Sequence, residues 1–263
     1  MTTESLPSGV TIYPIPAFTD NYIWCVHNHR HAVVVDPGDA QPVLTYLKDN
    51  DLRLSAVLIT HHHRDHTGGI AKLVSAIPEL PVIGPRGGHI RGLTKSVSQG
   101  DTVTLPTLDM ALHVMEVPGH TLDHIAFFGH NIIFCGDTLF SAGCGRLFEG
   151  SPEQMLHSLN KIKRLPASTQ VYCTHEYTQA NVNFALAVEP DNQALSQFAQ
   201  WVATQRAENR PTLPTPLSQQ KEVNPFLRAH ELSVKSAGEA YCENTLVDEV
   251  AVFAAIRRWK DEF

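Results

Sequence analysis

The chain has 263 residues, 43% hydrophobic and 18% charged, enough for one large core or a core plus a smaller domain. Its net charge of -7 argues against a general nucleic-acid surface, and no apolar run reaches the ~18 residues of a membrane span. Five cysteines without a C-x-x-C pair, and a polar start from Met1 to Pro14 lacking an apolar signal core, predict a soluble protein of a reducing compartment, the cytoplasm.

Tyr22–His27 and His31–Asp36 flank a polar turn and read as a hairpin, ended by Asp36-Pro37-Gly38. Pro42–Asn50 reads as a helix, with Val43, Leu44 and Leu47 at helical spacing. The apolar run Ala56–Ile59 reads as a buried strand. Thr60–His66 and two glycines follow it, then a helix from Ile70 to Ala76. Further strands are predicted at Val82-Ile83, Val103–Leu105, Ala111–Val117, Ile125–Phe128, Ile132–Cys135 and Val171–Cys173. Ser151 and Pro152 suit the cap and first position of a helix running to Arg164. Hairpins mixed with β-α units predict two sheets covered by helices, a four-layer αββα sandwich. After Glu176 the character changes. Tyr177–Val188, Ser196–Glu208 and Asp248–Lys260 read as helices, with a proline-rich connector at Pro211–Pro216. A domain boundary is expected near residue 176.

The densest chemistry lies in Thr60–His66, where His61, His63, Asp65 and His66 follow the spacing His-x-His-x-Asp-His at the end of a buried strand. Clustered imidazoles and a carboxylate in that place predict a metal site. His120, Asp137 and His175 each come within a few residues of the end of another predicted strand. Strand ends on one side of a sheet converge, and α/β proteins build sites there. Five imidazoles and two carboxylates exceed the needs of one four-coordinate ion, so two divalent ions are expected. The donor set suits Zn²⁺, with iron or manganese as alternatives. His62 alternates away from the cluster. His124 and Asp36 are candidates to support ligands from behind. The remaining histidines read as surface or hydrogen-bonded residues.

With these residues in view, the sequence resembles the metallo-β-lactamase superfamily, and within it the glyoxalase II (hydroxyacylglutathione hydrolase) family. Thr60–His66 resembles the superfamily's T-H-x-H-x-D-H motif, and Pro118–Thr121, Cys135–Thr138 and Thr174–Thr178 match its later motifs in order. Ala142–Arg146, Asn224–Arg228 and the ending Arg257–Phe263 point to glyoxalase II. The resemblance implies a metallo-β-lactamase fold over residues 1–175, a metal-binding catalytic domain, and a helical substrate-binding domain over 176–263. It implies that His61, His63 and His120 hold one metal and Asp65, His66 and His175 the other, with Asp137 bridging. It implies glutathione contacts at Arg146, Phe148, Tyr177, Arg257 and Lys260. Phe148 is a tyrosine in some members, and Asp123 stands where many have glycine.

The activity so implied is hydrolysis of S-D-lactoylglutathione to glutathione and D-lactate, in methylglyoxal detoxification, by a monomer with no nucleic-acid or membrane partner. Water held between two ions has a pKa lowered to about 7, which makes hydroxide available to attack a thioester carbonyl at neutral pH. A thiolate leaving group of free pKa about 8.5 departs without a strong general acid. Asp65 is expected to orient the nucleophile and Asp137 to hold both ions. A single-iron persulfide dioxygenase on the same scaffold is the rival reading; the Asp65, His66, His175 set and the helical tail speak against it.

Overall fold

The computed structural model describes residues 5–87 and 89–263. These form two compact units, one of residues up to Glu116 together with Asp123–Gly136, the other of Val117–Leu122 together with Asp137–Phe263.

The first unit contains a six-stranded sheet in the order β1 (Thr11–Ala17), β2 (Asn21–His27), β3 (His31–Val35), β4 (Arg53–Leu58), β5 (Val82–Pro85) and β6 (Lys95–Val97). β1 to β3 pair antiparallel, and β3 to β6 parallel. Helices α1 (Ala40–Asp49), α2 (Arg64–Thr67) and α3 (Ile70–Ala76) connect the parallel strands. The Asp39 carboxylate caps α1 by accepting from the Gln41 N–H. Val43, Leu47 and Leu73 pack with Val34, Val57 and Val82 into one buried cluster. Each such side chain, fully buried, contributes about 1.5–3 kcal/mol. Val35 lies beside Leu58 in the parallel register, so the chain leaves β3 at Asp36 and β4 at Ile59-Thr60 from the same end of the sheet.

The same unit carries an antiparallel meander, β7 (Thr102–Leu105), β8 (Met110–Glu116), β9 (Ile125–Gly129) and β10 (Ile132–Gly136). Met110, Leu112 and Val114 of β8 are buried and alternate with exposed residues, the period of a half-buried strand. His130 and Asn131 both have positive φ in the two-residue β9–β10 loop, the conformation whose twist suits a tight hairpin.

The second unit begins with the short hairpin β11 (Leu139–Phe140) and β12 (Gly143–Cys144) and helix α4 (Pro152–Lys163). Ser151 and Gln154 form a reciprocal capping box at the start of α4. β13 (Gln170–Cys173) leads into α5 (Thr178–Val188) and α6 (Gln193–Ala207), and β14 (Thr215–Pro216) pairs with β13. Helices α7 (Leu217–Val223), α8 (Leu232–Cys242) and α9 (Glu249–Glu262) complete the unit. Phe184, Phe226 and Phe253 are fully buried and in ring contact. Gln220 and Asn224, both fully buried, tie the hairpin down. The Gln220 amide oxygen accepts from the Ala142 N–H at 2.7 Å, and the Asn224 amide donates to the Phe140 and Gly143 carbonyls.

The strands and helices predicted from the sequence are observed to within a few residues, while β1, β6, β14, the β11–β12 hairpin and helices α2, α7 and α8 are additions. β1 holds Pro14 and Pro16, which an edge strand tolerates because its outer N–H positions serve no ladder. The hairpin β11–β12 is too short to show a period. α8 buries only Val234 and Gly238, so it carries no apolar stripe to read.

Candidate metal centre

In the first unit, the residues leaving β3 and β4 build a buried polar frame. Asp36 is 2% exposed. Its carboxylate accepts the Thr60 N–H at 2.8 Å, the Thr60 hydroxyl at 2.7 Å and His66 Nδ1 at 3.0 Å. The Thr60 hydroxyl, having given its proton to Asp36, accepts from His61 Nδ1 at 3.0 Å. These bonds assign the proton to Nδ1 in both His61 and His66, and so leave a lone pair on each Nε2. His61 Nε2 lies 3.1 Å from His63 Nδ1, and His66 Nε2 lies 3.3 Å from Asp65 Oδ2. Asn21 donates to the same Asp65 oxygen at 3.2 Å. The ring of His124 stacks on His61 at 4.5 Å. His62 Nδ1 lies 2.9 Å from Asp123 Oδ1, and the His62 ring lies edge-on to His63 with centroids 5.0 Å apart.

Glycines let the backbone close around this cluster. A Cβ on Gly38 would lie 1.8 Å from the Asp65 carbonyl oxygen. Gly136, at φ +48°, would place one 2.4 Å from the Thr60 hydroxyl. Only glycine fits such close approaches.

In the second unit, Asp137 Oδ2 lies 3.5 Å from His120 Nε2 and 3.3 Å from His175 Nε2. His120 Nδ1 donates to the Arg146 carbonyl at 2.8 Å, which again leaves the lone pair on Nε2. Phe148, 63% exposed, sets its ring edge-on to His120 with centroids 5.2 Å apart, and Tyr177 stacks on His175 at 4.6 Å.

The donor chemistry fits metal ions. A lone pair facing a carboxylate oxygen or a second ring nitrogen at 3.1–3.5 Å is repulsive unless a proton or cation lies between them. Donors about 2.0–2.1 Å from a tetrahedral ion stand roughly 3.3 Å apart, which is the spacing seen within each group. His and Asp residues able to hold metal ions are thus present in both units.

A family model described as "Metallo-beta-lactamase superfamily" matches residues 18–175, and one described as "Hydroxyacylglutathione hydrolase C-terminus" matches residues 176–263. A hydroxyacylglutathione hydrolase of Aliivibrio salmonicida is 55% identical over 253 residues, covering 96% of this chain and 99% of that protein. One of Nitrosomonas europaea is 50% identical over 254 residues, covering 97% of each. The chain belongs to the hydroxyacylglutathione hydrolase family. The crystal structure of the BLEG-1 B3 metallo-beta-lactamase superposes with a TM-score of 0.60 at 23% identity, covering 83% of this chain and 99% of that one. The fold is the metallo-β-lactamase fold with a C-terminal helical domain.

Against that family pattern, Asp123 finds its partner in His62, 2.9 Å away. The three cations expected at the glutathione end lie in one unit. Arg146 is largely exposed. Arg257 is buried, donates from Nη1 to the Cys144 carbonyl at 2.9 Å and covers the Phe226 ring at 4.9 Å. Lys260 sits over the rings of Phe184 and Phe263. Burial lowers the pKa of Lys260, and the charges of Arg257 and Arg146 lower it further, while Asp261 opposes the shift. All five cysteines are free thiols. Among the described residues no helix is long and apolar enough to cross a membrane.

Proposed function

We propose that this chain hydrolyses S-(2-hydroxyacyl)glutathione thioesters, S-D-lactoylglutathione foremost, to glutathione and a 2-hydroxy acid, and so serves methylglyoxal detoxification. The carrying observation is the seat of Asp137, whose one carboxylate oxygen stands between two imidazoles, His120 and His175. That arrangement suits a carboxylate shared by two ions, each with one of the imidazoles.

In this reading His61, His63 and His120 hold one divalent ion, Asp65, His66 and His175 the second, and Asp137 both. Bound there, the ions supply water of lowered pKa and polarise the thioester carbonyl. Zinc is the proposed metal, since imidazole and carboxylate donors at tetrahedral spacing suit it. Asp65, steadied by Asn21, orients the attacking oxygen. Asp36 and Thr60 fix the tautomers of His66 and His61 so that Nε2 faces the metal.

Arg146, Arg257 and Lys260 bind the glutathione carboxylates, with Phe148 and Tyr177 as flanking walls. The grouping of these three cations in one unit, with Asp261 Oδ1 3.1 Å from Arg257 and 3.6 Å from Arg146, supports this. Arg146 also ties binding to chemistry, since its own carbonyl holds His120 in place. Residues 1–175 act as the catalytic domain and 176–263 as the substrate-binding domain. We further propose a monomer of the cytoplasm, a reducing compartment suited to free thiols. The test is thiol release from S-D-lactoylglutathione. Oxygen consumption with glutathione persulfide, in place of thiol release, would overturn the reading.

A further inference from the structure

We propose that Asp261 is a positioning residue that sets the affinity of the cation cluster for its anionic ligand. This rests on the glutathione-thioester reading above. One oxygen of Asp261, Oδ1, lies 3.1 Å from Arg257 Nη2 and 3.6 Å from Arg146 Nε. The two arginines differ sharply. The Arg257 side chain is 6% exposed and fixed by the Cys144 carbonyl and the Phe226 ring. The Arg146 side chain is 65% exposed. Asp261 therefore links an exposed guanidinium to a buried, hydrogen-bonded one. An arginine already held in place loses less freedom when it grips a carboxylate.

Helix energetics do not account for an aspartate at this position. Asp261 lies in the last turn of α9, where the helix dipole disfavours negative charge. Its order relative to Arg257, acid after base at i,i+4, is also the weaker one. Its charge opposes anion binding as well. Water weakens that opposition, because the carboxylate is 42% exposed, and the orientation given to the Arg146 guanidinium outweighs it.

The test uses the metal-loaded full chain, with wild type, Asp261→Asn and Asp261→Ala compared. Steady-state kinetics on S-D-lactoylglutathione is paired with calorimetric binding of glutathione. For Asp261→Ala, KM and the glutathione Kd rise about five-fold, kcat stays within about two-fold, and Tm does not fall. Asp261→Asn, which keeps an acceptor at Oδ1, falls between. An unchanged or lower KM and Kd overturns the proposal. So does a parallel loss of kcat and Tm, which marks a purely structural role. Wild-type protein that releases no thiol from the thioester overturns the functional reading instead.

Discussion

Replacing Asp36 by asparagine probes the buried frame behind the metal ligands. The shape is kept, and the left-handed backbone at φ 53° suits asparagine as well as aspartate, so backbone strain is not a confounding effect. The carboxylate accepts three hydrogen bonds, two of them at Oδ2, from Thr60 and His66. An amide has one acceptor and one donor atom. Either the Thr60 N–H or the Thr60–His66 pair then faces an NH₂ group. A lost bond to a charged acceptor costs about 1.5–3 kcal/mol, and a stranded buried donor about 1–3 kcal/mol. The overlap of these terms puts the destabilisation of metal-free protein at about 2–4 kcal/mol. Freed from Asp36, His66 also loses its fixed tautomer, and metal affinity is expected to fall about 10–100-fold. Urea unfolding of the chelated protein gives the first number, and competition with a chromogenic chelator the second. Asp36→Asn protein of wild-type stability and wild-type metal affinity would refute the reasoning.

Gly145→Ala places a Cβ 2.0 Å from the Asp137 carbonyl oxygen and 3.0 Å from His120 Nδ1. Backbone must shift there, so metal uptake and Tm are both expected to fall, as read by elemental analysis and calorimetry. The double variant Arg257→Ala/Lys260→Ala should raise KM for the thioester by about ten-fold or more and lower kcat far less; a loss confined to kcat would contradict a binding role. Burial pushes the thiols of Cys25 and Cys173 up to about 12 and that of Cys144 up to about 11, from an ordinary 9.0. Between those values the unfolded chain has released protons that the native chain keeps, so stability is full below pH ~9 and declines as pH rises toward ~12. Urea titrations at stepped pH should show that slope, and native protein at pH 8 should label first at Cys242, the least buried of the five.

How far the sequence carries depends on the kind of interaction. The Thr60–His66 spacing, set after the run Ala56–Ile59, was legible because buried parallel strands show as continuous apolar runs. Ser151-Pro152 announced α4 through local chemistry alone. The role of Asp36 was half legible, since a turn residue and a buried acceptor look alike until β3 and β4 are laid side by side. Asp123 was opaque for the same reason: its partner His62 is 61 residues away. The clamp of Gln220 and Asn224 on the β11–β12 hairpin left no trace, because its partners are backbone groups about 80 residues distant. Asp261 had a local signal, four residues after Arg257 on a predicted helix, but its second contact, to Arg146, is invisible to helical spacing.

Metal content tests the binuclear reading most directly. Elemental analysis of the purified, metal-replete chain is paired with thiol release from S-D-lactoylglutathione, before chelation, after it, and after metal is returned. The expected result is two ions per chain, with activity lost on their removal and regained on their return. One ion per chain at full activity, or full turnover by metal-free protein, would contradict it.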